Sequence, residues 1–302
     1  MNSTVGPPAI ELHGVTKHYK GGGGVDELTL RVERGEIFGY LGPNGAGKST
    51  TIRMLVDLIR PDVGTISVLG LDARRDSIEV HRRIGYLPGE LTLYERLSAR
   101  EILGHFAHLR GLDAEAYESL AGRLHLQLDR VVRELSKGNR QKVGLIQALM
   151  GDPELLILDE PTSGLDPLIQ HEVHDELRRA ASEGRTVLLS SHVLSEVAEI
   201  ADRVGIIREG RLIAVEQVDE FRQRAIHLVD ATFASPPTPE VRGALEAAGG
   251  TFETSHKVHL EIPSERLSEL VKVLSGAEVV DLWVREPALQ ELFLSLYEHG
   301  EA

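Results

Sequence analysis

The octapeptide GPNGAGKS, residues 42–49, constrains this chain more than any other stretch. Its spacing is that of a phosphate-binding loop, and such a loop needs a strand before it and a helix after it. The apolar run EIFGYL on one side and the amphipathic run KSTTIRMLVDLI on the other predict both. Glycines allow successive backbone N–H groups to wrap an anion, and a helix start adds positive dipole. Gly42, Pro43, Asn44, Gly45, Ala46, Gly47, Lys48, Ser49 and Thr50 are therefore expected to hold a nucleoside triphosphate. Lys48 would reach the β and γ phosphates, and the Ser49 hydroxyl would meet Mg2+.

A second run, LLILDEPTSGLD at 155–166, reads as a buried strand ending in two adjacent acids. Uncompensated carboxylates at the end of a core strand are costly. A magnesium ion on the triphosphate would remove that cost for Asp159, leaving Glu160 to take a proton from an attacking water. His192 ends TVLLSSH, a further buried strand. In a parallel sheet all strand carboxyl ends share one edge, so His192 is expected beside the phosphate loop, hydrogen-bonding the γ-phosphate and orienting the water. The other twelve of the thirteen histidines show no metal-ligand spacing and read as surface or helix residues. Tyr19, in TKHYK, is the candidate to stack an adenine.

The stretch LSKGNRQK, residues 135–142, adds a puzzle. A serine and a glycine again open an amphipathic helix, which makes a second anion-binding turn in a chain that already has a complete cradle.

Totals narrow the remaining classes. At 302 residues the chain has room for about two domains. With 33 basic against 47 acidic residues, net −14, it is not a general nucleic-acid binder. The absence of cysteine excludes disulfides, thiol catalysis and cysteine-ligated metals. No apolar run approaches the length of a membrane span, and the amino terminus lacks the pattern of a signal peptide, so any membrane role is expected to come through a partner.

Along the chain, AIELHGV and ELTLRV alternate like strands of an antiparallel edge sheet, joined by the GGGG turn at 21–24. A mostly helical insert follows at about 98–128, and strands then alternate with helices, which implies a mainly parallel sheet. The charged EQVDEFRQRA reads as a linking helix. Beyond it the order β-α-β-β-α-β suggests a small split βαβ accessory domain, closed by a helix at 287–298, with Trp283 and that helix as its core.

Taken together, GPNGAGKST, LSKGN, LLILDEPTSGLDP and SSH resemble, in order and spacing, the ATP-binding subunit of ABC transporters. The resemblance covers roughly residues 9–216. It implies a P-loop ABC-type α/β domain with a parallel core sheet, an antiparallel edge sheet and a helical subdomain at about 98–150. A linker at 217–225 and an α+β accessory domain at 226–302 would follow. In that family two subunits pack head to tail, so each ATP on one phosphate loop is capped by the signature helix of the other. The second anion turn would then serve the partner's γ-phosphate through Ser136, Lys137, Gly138 and Asn139, with Asp166 communicating across the pair. Lys137 and Asn139 replace the family's usual glycine and glutamine. The family glutamine that contacts magnesium falls on Gly89 in IGYLPGEL, so either Glu90 substitutes after a one-residue shift or the contact is lost.

IGYLPGELTLYERLSAREIL and the tail VREPALQELFLSLY further resemble ATPases of drug, antibiotic or lipid exporters with a separate permease chain. The resemblance implies ATP hydrolysis with Mg2+, a homodimer-like pair, and a cytoplasmic, peripheral location on the inner face of the membrane through the permease. The competing expectation is a soluble ABC-type ATPase acting on ribosomes or DNA. Relatives of that sort usually carry two nucleotide domains, a long coiled coil or zinc cysteines.

Overall fold

A computed structural model of the chain describes residues 6–223 and 226–285. The chain divides into two compact units, Met1–Val215 and Glu216–Ala302.

In the first unit, Ile10–His18 pairs antiparallel with both Gly24–Val32 and Val63–Val68, and Leu71–Asp72 completes a four-stranded sheet. The glycine turn between the first two strands requires Gly24, whose φ of 121° would drive a Cβ to 1.8 Å from the Lys17 carbonyl oxygen. A second sheet of six strands carries the site. Ile37–Leu41, Leu155–Asp159 and Thr186–Ser191 are buried at every position, as their largely apolar character demands of strands covered on both faces. Ile37–Leu41 lies between Arg203–Arg208 and Thr186–Ser191, and Leu155–Asp159 lies between Thr186–Ser191 and Ile84–Leu87, all parallel. Their carboxyl ends therefore open on one edge.

The helical insert is Ala99–Leu109 and Glu115–Arg123. Ser98 and Glu101 close a capping box on the first of these. The helix Lys137–Leu149 joins the insert to the sheet: buried Lys142 donates to the Leu124 carbonyl at 2.5 Å, while the opposite side packs on the strand Ile84–Leu87. A Cβ at Gly85 would lie 2.0 Å from the Ala148 carbonyl oxygen, so the helix approaches that strand at glycine distance.

The second unit has the expected order. Its sheet runs Thr251–Thr254, Lys257–Pro263, Ile226–Phe233, Val279–Arg285, antiparallel throughout, with helices Pro239–Ala247 and Leu267–Leu274. Two expectations are corrected. Glu216 and Gln217 continue the strand Arg211–Gln217, so the linking helix starts at Val218 and, among the described residues, is Val218–Gln223. Trp283 is not core: it is 68% exposed. Register explains this, because Trp283 stands opposite Asp230, whereas the core face of that neighbouring strand holds Val229 and Ala231. The expected helix 287–298 and most of the exporter-like tail lie outside the described residues.

Gly85→Ala should destabilise the first unit by about 1–3 kcal/mol through overpacking against Ala148. Gly122→Ala, with no atom near its new Cβ, should be neutral or gain about 0.5 kcal/mol. Urea unfolding of the two variants measures the contrast.

Candidate active site

The cradle is built by backbone. Gly47 has φ 110° and immediately precedes the helix Lys48–Leu55. A Cβ there would be 2.8 Å from the Gly24 carbonyl oxygen, so glycine is required on both counts. Thr51 anchors the helix start: its hydroxyl donates to the Gly47 carbonyl at 3.0 Å and lies 3.2 Å from the hydroxyl of fully buried Tyr40.

An open cleft of about 420 Å³ lies over this turn. Pro43, Asn44, Gly45, Gly47, Lys48, Ser49 and Thr50 form one wall, and Gly89, Glu90, Asp159, Glu160, Ser163 and His192 the other. Lys48 is 6% exposed and spans the two. Its ammonium donates to the Gly42 and Pro43 carbonyls at 2.6 and 3.3 Å and sits 3.6 Å from Glu160 Oε1. The other Glu160 oxygen is 2.9 Å from His192 Nδ1. One carboxylate thus meets the loop cation and the strand-end imidazole together.

Asp159 is 3% exposed and directs its side chain elsewhere. Its Oδ1 accepts from the Ser190 hydroxyl at 2.5 Å, and the same serine oxygen accepts from the Glu160 N–H at 3.1 Å. The chain turns sharply between the two acids, because Glu160 has φ 52°, a conformation costing roughly 1–3 kcal/mol for a residue with a side chain. Gln141 holds the turn from beneath, donating to the Glu160 and Pro161 carbonyls at 3.3 Å each. A Cβ at Gly89 would stand 3.1 Å from Asp159 Oδ2, so the missing side chain at Gly89 leaves that carboxylate accessible from the cleft. A small divalent cation fits this donor set of hard oxygens, the Asp159 carboxylate and the Ser49 hydroxyl.

The other expected residues lie apart. Tyr19 is 42% exposed just beyond the strand Ile10–His18 and does not line the cleft. Ser136 caps the helix Lys137–Leu149, its oxygen accepting from the Asn139 N–H at 3.2 Å. Asp166 caps Pro167–Ser182 in the same way, accepting from Ile169 N–H at 3.1 Å. These two caps are neighbours: Leu165 lies against Gly138, and the Lys137 side chain lies over Gly164. None of Ser136, Lys137, Gly138, Asn139 or Asp166 lines the cleft of its own chain.

Ser190 and Gln141 carry no role in the sequence reading. The motif SSH contains the first, but only register pairs Ser190 with Asp159 across two strands. Gln141 could have been found from its place two residues after the signature, one helical turn in.

A triphosphate cradle joined to a strand-end acid, a glutamate and a histidine defines a P-loop ATPase. Residues 25–163 match the ABC transporter family. The daunorubicin resistance ATP-binding protein DrrA3 of Streptomyces coeruleorubidus is 37% identical over 302 aligned residues, 95% of either chain. The bacitracin transport ATP-binding protein BcrA of Bacillus licheniformis is 40% identical, over 96% of this chain and 98% of that protein. Among solved structures, an ATP-binding subunit of an ABC transporter is 33% identical with a TM-score of 0.65, over 71% of this chain and 92% of that one. A bacterial ABC transporter cassette solved as a dimer shares the fold at 24% identity and a TM-score of 0.64, over 69% and 98%. The chain belongs to the ABC transporter family as an ATP-binding, ATP-hydrolysing subunit.

Ser190→Ala removes a buried donor to Asp159 and leaves the Glu160 N–H without its acceptor. It should cost about 1–3 kcal/mol in urea unfolding, whereas Ser191→Ala, on the opposite strand face, should cost less.

Proposed function

We propose that this subunit energises export of a substrate through a separate membrane permease, hydrolysing ATP at a site completed by a second nucleotide-binding subunit. The observation that carries the chemistry is the convergence of Lys48 and His192 on the two oxygens of Glu160 at the mouth of the cradle. Transport is supported by the bacitracin transport protein, and export by the Nod factor export ATP-binding protein I of Burkholderia orbicola, 38% identical over 95% of this chain. They favour export over a soluble role on ribosomes or DNA. No helix among the described residues is long and apolar enough to cross a membrane, so the translocation path would belong to the permease.

In this mechanism the backbone amides of 42–49 and the Lys48 ammonium bind the β and γ phosphates. Ser49 and Asp159 would hold Mg2+, with Glu90 the further candidate from the loop after Ile84–Leu87. The ion supplies charge neutralisation on the phosphates when bound. Glu160 accepts the proton of the attacking water, and His192 holds the carboxylate and orients the water toward the γ-phosphate. Tyr19 would stack on the adenine from the rim.

Two subunits are needed because the signature turn does not face its own cleft. With its oxygen engaged by the Asn139 N–H, the Ser136 hydroxyl keeps its proton to donate to a partner's γ-phosphate. Lys137, the Gly138 amide and the Asn139 side chain would add charge and donors there, and Asp166 would meet the partner subunit. Binding ATP more tightly in the closed pair than in the open one is what drives the permease.

Glu160→Gln should retain ATP, accumulate a closed dimer by size-exclusion chromatography, and lose about 10²- to 10⁴-fold in steady-state hydrolysis. Undiminished turnover would show that another group is the base. Mixing Lys48→Ala subunits with Ser136→Arg subunits should leave one composite site with both motifs intact. Heterodimers isolated with two affinity tags should bind one ATP, and failure to bind any would remove the shared-site reading.

A further inference from the structure

Two of the histidines read as surface or helix residues do lie on a helix, where packing brings them beside a glutamate. His171 and His174 stand three residues apart on Pro167–Ser182, which brings them to neighbouring positions on one helix face. Glu199 meets them from a second helix, Leu194–Ile200. One donor atom from each of the three lies within 4.8 Å of the other two. The sequence could not pair Glu199 with residues 25 and more positions earlier, because only the packing of two helices joins them.

The His174 ring is 2% exposed. Its Nδ1 is 2.9 Å from Glu199 Oε2, while buried Nε2 finds no hydrogen-bond partner among the described residues. A purely structural interhelical bond accounts for the first nitrogen only. It does not account for an exposed second imidazole with a donor atom within 4.8 Å of donors on both His174 and Glu199. The three line a cavity of about 250 Å³ together with Gln170 and Glu196. Glu196 is already engaged by the Thr162 hydroxyl at 2.8 Å and by the Gln170 amide at 3.3 Å, so the donors left are His171, His174 and Glu199.

We propose that His171, His174 and Glu199 form a binding site for a borderline divalent transition metal of the Zn2+, Co2+ or Ni2+ class. Two imidazoles and a carboxylate suit such ions, whereas Mg2+ prefers oxygen donors alone. Tetrahedral coordination at about 2.0–2.1 Å would bring donors to roughly 3.4 Å from one another. Rotation of the two exposed side chains, His171 and Glu199, closes that gap without moving the buried ring. Solvent would supply the fourth position. The location gives the site a consequence. Pro167–Ser182 begins at the Asp166 cap, and Leu194–Ile200 begins two residues after His192. A bound ion would pin together the two helices that lead out of the loops bearing those residues.

The test is titration of the untagged, chelator-stripped full chain with Co2+, without nucleotide and in excess Mg2+, followed by visible absorption. The site predicts one equivalent with the intense bands of four- or five-coordinate cobalt, displaced by Zn2+. His171→Ala and His174→Asn should each weaken binding by at least about tenfold. Zn2+ should also raise the thermal midpoint of the parent chain and of neither variant. The amide introduced by His174→Asn retains a donor toward Glu199. Exposed His171 can be truncated without disturbing packing, so His171→Ala alone decides the matter should the other variant not fold. Spectra of six-coordinate cobalt only, or binding unchanged by His171→Ala, would overturn the proposal.

Discussion

A single short hydrogen bond holds the active edge of this sheet in order. Ser190 donates to Asp159 at 2.5 Å between two adjacent parallel strands that are buried along their whole length. That bond keeps one carboxylate fixed at the floor of the cleft. The same serine oxygen accepts the next N–H, so Glu160 must leave the strand in a left-handed turn. The turn separates two adjacent acids that would otherwise repel at close range. Asp159 stays against the sheet, and Glu160 reaches Lys48 and His192. Glycine at 160 would hold the turn with less strain, but it would remove the carboxylate that meets Lys48 and His192.

Much of this was legible in the chain. The phosphate loop announces itself by glycines and a lysine at fixed offsets, because close backbone approach leaves no alternative at positions such as Gly47. The buried strands are equally plain, since an unbroken apolar run ending in charge fits few places in a fold. What escaped the sequence is register and helix packing. Ser190 opposite Asp159, Gln141 beneath the Glu160 turn, and Glu199 beside His174 are all contacts across 19 to 31 positions of chain. Trp283 failed for the same reason: an aromatic in an alternating strand is core or surface depending on one residue of register, and its partner Asp230 decides it.

In the proposed shared site, the signature region supplies one half. Its serine and the loop aspartate cap two successive helices whose starts touch through Leu165, Gly138 and the Lys137 stem. These elements form one packed surface, separate from the cleft that holds Lys48 and Glu160. A cap that merely ended a helix would have no need of the adjoining glycine and lysine at such close quarters. The proposed role, a hydroxyl proton presented outward, is consistent with a small residue beside the cap and with Leu165 packed against it.

Coupling between the two surfaces must then pass through the short loops that join them to the cleft, and these are few. From Glu160 the chain runs through Thr162 and Ser163 to the Asp166 cap, and Thr162 is tied to Glu196 on the helix that follows His192. Gln170 reaches the same glutamate one turn further along. The His174–Glu199 contact repeats the link a turn beyond that. One side-chain bridge from the aspartate loop and two from the helix after it therefore reach the helix after the histidine loop. On the proposed roles, a shift of His192 would be shared with Asp166 through packed helices rather than through flexible chain, because bridges of this kind resist sliding while still permitting the pair to move as a body.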